Sequence, residues 1–154
     1  MIEIEIGAPD WTAALPDAEA LAQRAAAAAL SQEGAAGEGV AVLLTDDAAV
    51  QALNARFRQK DGPTNVLSFP APHNPEKHLG DLALAFGVCA REAAEQGKPL
   101  AHHLQHLVVH GVLHLLGYDH MSEDEAEAME GLERAVLAGL GVPDPYVAGE
   151  GEHD

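Results

Sequence analysis

The sequence predicts a single α+β domain, α/β-like in character, with a mixed sheet of about four strands covered by helices. Three observations predict it. Hydrophobic residues make up 47% of the 154-residue chain, which is enough for one real core in a chain too short for two comfortable ones. Short apolar runs of strand length alternate with longer Ala- and Leu-rich stretches of helical character. Aromatic residues are only 4% of the chain, so the core is expected to consist of small aliphatic side chains.

Ile2, Ile4 and Ile6 alternate with Glu3 and Glu5, the pattern of a half-buried strand. After Pro16, the segment from Asp17 to about Gln32 is rich in strong helix formers, and the glycines at 34, 37 and 39 close it. Val40–Thr45 reads as a second strand, and Asp46 is placed to cap a helix running to about Phe57. Gln59-Lys60-Asp61-Gly62-Pro63 is a turn cluster. Asn65–Phe69 then reads as a strand stopped by Pro70 and Pro72, residues 70–79 as a loop, and Asp81–Phe86 as a strand. Helical stretches over about 88–96 and 99–116 are separated by Gly97 and Pro99. Ser122 with Glu125 is a capping-box signature for a last helix to about Leu140. Residues 1–148 are expected to form one domain and 149–154 an acidic tail.

The formal charge of −17, from 25 acidic and 8 basic residues, repels polyanions. A nucleic-acid function therefore requires a local positive site, from a metal or a few arginines. Cys89 is the sole cysteine, which excludes an intramolecular disulfide. The first residues lack the basic and apolar regions of a signal peptide, and no apolar stretch is suited to spanning a bilayer. The expectation is a soluble, cytoplasmic protein with no membrane partner.

Six of the nine histidines fall between residues 102 and 120. His110 and His114 are four apart in VVHGVLHLL, so at about 100° per residue both imidazoles reach one point beside a helix. Gly117 can take a positive φ and end that helix, returning Tyr118-Asp119-His120 toward the same point. The pattern H-x-x-x-H-x-x-G-x-x-H thus places a metal site on a helix and its return turn. His110, His114 and His120 are the ligands, and Zn²⁺ is the expected ion, one per chain, with other divalent metals compatible. Three nitrogen donors leave a position open, as in catalytic sites. His102 and His106 extend the i, i+4 ladder but drift around the axis, so with His103 they are expected to support the site or to be solvated. A zinc protease of the H-E-x-x-H type needs a glutamate where this chain has Gly111.

HGVLHLLGYDH closely resembles the signature of the YbeY-type endoribonucleases, the bacterial ribosomal-RNA maturation factors. The resemblance extends upstream through LNARFRQKDGPTNVLSFP and LGDLAL and downstream through EDEAEAMEGLERAVLAGLG, over about residues 40–145. It implies a metal-dependent, single-strand-specific RNase acting in small-subunit rRNA maturation and ribosome quality control. Its partners would be rRNA and ribosomal proteins, with no DNA. The family's metal histidines fall on His110, His114 and His120, and its functional arginine on Arg58. Two further motif positions fall on Ser68 and Asp81. In this reading His110 and Arg58 are catalytic, and Arg58 and Ser68 bind substrate.

Each of these residues also has a plainer reading. Arg58 suits a helix C-terminus electrostatically, Asp81 a strand-end hydrogen bond, and Ser68 a satisfied strand hydroxyl. Cys89 and Trp11 read as packing residues, His73 and His78 as solvated loop residues, and Glu123–Glu130 as a solvated helix face. Two functional alternatives stand beside the nuclease: a zinc metallohydrolase of peptides or small molecules, and a non-catalytic ribosome-associated metal-binding factor. For the nuclease, the nucleophile is either a water activated by the metal or the RNA 2′-hydroxyl.

Overall fold

The structure is a computed structural model that describes residues 2–58, 64–72, 74–119 and 122–146, with Arg58 described by its backbone. Among the described residues there are four strands and six helices. In chain order they are β1 (Ile2–Ile6), α1 (Pro9–Ala14), α2 (Ala18–Gln32), β2 (Gly39–Thr45), α3 (Asp47–Arg58), β3 (Val66–Pro70), β4 (His78–Ala85), α4 (Phe86–Gln96), α5 (Leu100–Leu115) and α6 (Glu123–Gly139). The sheet order is β1-β2-β4-β3. β1 and β4 both run parallel to β2, and β3 runs antiparallel to β4, so the sheet is mixed as expected.

Strand alternation divides the core between the two faces of this sheet. Val40, Val42, Leu44, Leu82 and Leu84 pack with the buried residues of α2 and α5. Ala83 and Ala85 look the other way, toward Val50 and Leu53 of α3. The alanine run of α2 is helix, as propensity indicates, and Ala22, Ala25, Ala26 and Ala29 are all buried, which lets α2 lie close to its neighbours.

Several local readings hold at their ends. Asp46 Oδ1 accepts from the Ala49 amide at 2.8 Å, capping α3. Ser122 and Glu125 make both halves of the capping box that opens α6. Other readings differ. The helix α1 has no apolar period of its own to announce it; Pro9 at its first turn starts it, and Trp11 anchors it by donating Nε1–H to the Thr45 carbonyl at 2.9 Å. The expected loop 70–79 is shorter, because Pro70 closes β3 and His78 opens β4. His78 is therefore a strand residue and not a loop one; it stays partly exposed, and its ring lies 2.9 Å from the Asp81 carboxylate, a hydrogen-bonding role for Asp81. His73 and the tail 149–154 lie outside the described residues.

Candidate metal centre

The site is built on α5, the most apolar of the longer helices, which lies across the sheet with Leu104, Val108, Val112 and Leu113 buried beneath it. Its close seating depends on Gly111. A Cβ at that position would stand 2.7 Å from Leu82 Cδ2 of β4, so glycine is what lets the helix rest on the strand. His110 and His114 then project from the same side one turn apart, with ring centroids 4.5 Å apart. Their Nε2 atoms face each other at 3.1 Å.

Each of the two rings is oriented through its other nitrogen. Helix α5 ends in a Schellman turn, in which the Gly117 amide donates to the His114 carbonyl and the Tyr118 amide donates to that of Leu113, both at 3.0 Å. Gly117 sits at φ 108°, a conformation that L side chains rarely adopt. The turn swings the Tyr118 carbonyl back so that it accepts from His114 Nδ1 at 3.0 Å. The Tyr118 hydroxyl donates to Glu33 at 2.6 Å, tying the turn to the end of α2, and this bond raises the phenol pKa. His110 Nδ1 donates to Glu133 Oε2 at 2.5 Å. A carbonyl and a carboxylate only accept, so both Nδ1 atoms carry protons, and in the neutral rings both Nε2 atoms carry lone pairs.

Two lone pairs facing at 3.1 Å repel unless a proton or a metal cation lies between or beside them. With metal–nitrogen distances of about 2.0–2.1 Å, a tetrahedral centre has a nitrogen–nitrogen edge of roughly 3.3–3.4 Å. The observed pair fits that donor set. Among the described residues no group of three His, Cys, Asp or Glu side chains forms a metal cluster. His120, the third ligand read from the sequence, lies outside the described residues, as does the side chain of Arg58, the last residue of α3. Ser68 pairs with Leu82 in the sheet and so shares the α5 side, while Asp81 pairs with Phe69 on the opposite side.

Glu133 is the residue that the sequence reading missed. It is 0% exposed on α6 and accepts from His110, from His106 Nε2 at 3.1 Å and from the Tyr146 hydroxyl. Burial works to raise its pKa, but the hydrogen bonds from His106 and His110 outweigh burial and hold it at about 2. Burial also lowers the pKa of His106 and raises that of the Tyr146 phenol. The signal was present: Met129, Glu133, Val136 and Leu137 form one helical stripe, and a glutamate in an otherwise apolar stripe is the informative exception.

Of the upstream histidines, His103 is buried, while His102 and His106 are partly buried. His103 bonds Glu92 at 2.9 Å, and Glu92 also accepts from Asn65 at 3.0 Å. The bond from His103 lowers the Glu92 pKa against the effect of burial. His106 supports the site through Glu133 and does not join the imidazole pair. The Nδ1 atoms of His103 and His106 have no partner among the described residues, which fits rings that donate through Nε2. A cleft of about 920 Å³ opens along this side of α5, lined by Asn65, Lys98, His102, His106, His110 and Tyr146 among others.

Fold and site together define a small α+β protein with a histidine helix laid over its sheet beside a cleft. The model of the family described as endoribonuclease YbeY matches residues 5–141. An endoribonuclease YbeY from Rhodopseudomonas palustris (strain BisB18) is 55% identical over 153 residues, covering 94% of this chain and 90% of that one. Its counterpart from Paramagnetospirillum magneticum is 53% identical and covers 94% of each chain. A solution structure of a Thermotoga maritima protein superposes with a TM-score of 0.60 at 27% identity, covering 92% of both chains. The chain belongs to the endoribonuclease YbeY family, and so to the hydrolases that act on RNA.

Proposed function

We propose that this chain is a metal-dependent, single-strand-specific endoribonuclease of small-subunit rRNA maturation and ribosome quality control, holding one zinc ion through His110, His114 and His120. The observation that carries the metal reading is the imidazole pair, whose Nε2 atoms face at 3.1 Å with both Nδ1–H groups committed elsewhere. Bound there, a divalent ion would supply Lewis acidity beside a scissile phosphodiester. The chain's own residues have separable tasks. His110 and His114 present lone pairs, the Tyr118 carbonyl and Glu133 hold the rings in that tautomer, and Arg58 binds non-bridging phosphate oxygens through its planar donor fork. Ser68, on the α5 side of the sheet, contacts substrate.

The protease alternative is opposed by Gly111, which is buried against Leu82 and offers no room for a catalytic glutamate. The charge of −17 suits a basic ribosomal protein as partner and a cytoplasmic setting. Among the described residues no helix is long and apolar enough to cross a membrane.

The test pairs metal content with turnover. Purified chain should carry about one equivalent of zinc, lost in His114→Ala. Arg58→Ala should keep the zinc and the fold while single-stranded RNA cleavage falls by about 10²–10³, the usual cost of one group that stabilises transition-state charge. Equal metal in wild type and His114→Ala would sink the ligand assignment, and full activity in Arg58→Ala would sink the role of the arginine.

A further inference from the structure

We propose that Glu133 is the positioning residue of the histidine pair, fixing which nitrogen of His110 carries the proton, and that Tyr146 locks Glu133 in that task. The inference rests on the reading of His110 and His114 as metal ligands. Glu133 is enclosed on α6, and its two oxygens face different partners. Oε2 accepts from His110 Nδ1 at 2.5 Å. Oε1 accepts from His106 Nε2 at 3.1 Å and from the Tyr146 hydroxyl. An ionised carboxylate has no proton to donate, so His110 meets it as a donor, and the lone pair is left on Nε2, the atom that faces His114.

The placement makes little sense as packing. Met129, Val136 and Leu137 fill the rest of the buried stripe, and a well-packed apolar side chain often stabilises such a site as well as a buried ion does. What a carboxylate adds is orientation of an imidazole and control of its tautomer, the usual task of a carboxylate hydrogen-bonded to a ligating histidine. Tyr146 is itself pinned. Its amide donates to Asp144 at 2.8 Å, Arg134 Nε reaches Asp144 at 3.0 Å, and the Arg134 guanidinium lies 5.3 Å from the centre of its ring. The segment after α6 is thereby fastened to the carboxylate that orients His110.

Glu133→Gln separates this role from packing, because the shape is kept while one acceptor becomes a donor. If the amide nitrogen faces His110, the ring must accept through Nδ1, and its proton moves to Nε2, where it blocks the lone pair. If it faces the other way, it opposes the His106 N–H and the Tyr146 hydroxyl, and those two must rearrange.

Two measurements decide. Ring ¹H–¹⁵N NMR of the metal-free wild-type chain should show His110 as the Nδ1–H tautomer. Zinc affinity measured by chelator competition should be weaker in Glu133→Gln by about 10–100-fold, in a chain that circular dichroism shows to be folded. A proton on Nε2 of His110 in the wild type, or wild-type zinc affinity in a folded Glu133→Gln chain, overturns the proposal. If that variant does not fold, Tyr146→Phe takes its place: a several-fold weaker affinity is expected, and an unchanged one overturns the locking role. A wild-type chain that takes no zinc would defeat the ligand reading, while the tautomer spectrum would still show whether Glu133 sets the proton on His110.

Discussion

Installing a glutamate at position 111 is the sharpest test of how α5 sits, because Gly111→Glu would complete the H-E-x-x-H pattern of zinc proteases. A Cβ at that position lies 2.7 Å from Leu82 Cδ2 and 2.9 Å from Cδ1. Leu82 is 1% exposed, so its side chain has no solvent to swing into. Overpacking of this kind costs about 1–3 kcal/mol, while alanine in place of glycine inside a helix returns about 1 kcal/mol. Gly111→Ala should therefore lose about 0–2 kcal/mol, or up to roughly 8 °C in melting temperature. Gly111→Glu drives a longer side chain into the same wall and strands a carboxylate against Leu82. That adds several kcal/mol, and the sum approaches the whole stability of an ordinary domain, about 5–15 kcal/mol. Thermal melts followed by circular dichroism, with a peptide-hydrolysis assay on any folded material, make the comparison. The expected result is a near-native alanine variant and a glutamate variant that does not fold. A glutamate variant melting within about 4 °C of wild type would refute the reasoning, since position 111 would then face the cleft and α5 would be rotated by about 100° from its present seat.

Two further outcomes follow from the same geometry. Free zinc at about 100 times its dissociation constant should stabilise the wild-type chain by about 2.7 kcal/mol, or roughly 5–11 °C; differential scanning fluorimetry should show this shift vanish in His110→Ala, and a shift that survives contradicts the site. Glu133 is held at about 2, below its ordinary 4.5, so its contribution to stability is complete above pH 4.5 and lost as pH falls toward 2. Urea midpoints of the metal-free chain should fall across that window in the wild type and less in Glu133→Gln, and parallel acid limbs would count against the depressed value.

What was legible in the sequence was whatever repeats locally. The Ile/Glu alternation of β1, the alanine-rich α2 and the Ser122/Glu125 box each carry their signal within a few residues, and each element appears within a residue or two of its expected bounds. The i, i+4 pair and Gly117 were legible for the same reason, since one helical turn and one αL residue set that part of the site. Glu133 was not, because its meaning depends on α6 crossing α5: 23 residues separate it from His110. Helical drift correctly separated His106 from the imidazole pair of His110 and His114. It did not indicate which groups would hold His103 and His106, because that depends on Glu92 of α4 and Glu133 of α6 as partners.

The charge of −17 and an RNA substrate pull in opposite directions, and the sheet bears on how both hold. Glu3, Glu5 and Asp81 line a groove of about 900 Å³ on one face, over Ala41, Leu43 and Ala83. Ile2, Ile4, Val42 and Leu82 alternate to the other face, where α2 and α5 pack and where His110 and His114 sit. Three carboxylates on that side are already matched: Glu133 by three donors, Glu92 by His103 and Asn65, and Asp144 by Arg134. Exposed charges farther off than about 8 Å are largely screened at physiological salt. Matched carboxylates and screening thus weaken the repulsion that a phosphodiester meets on the α5 side, and net charge alone does not decide whether RNA can bind there.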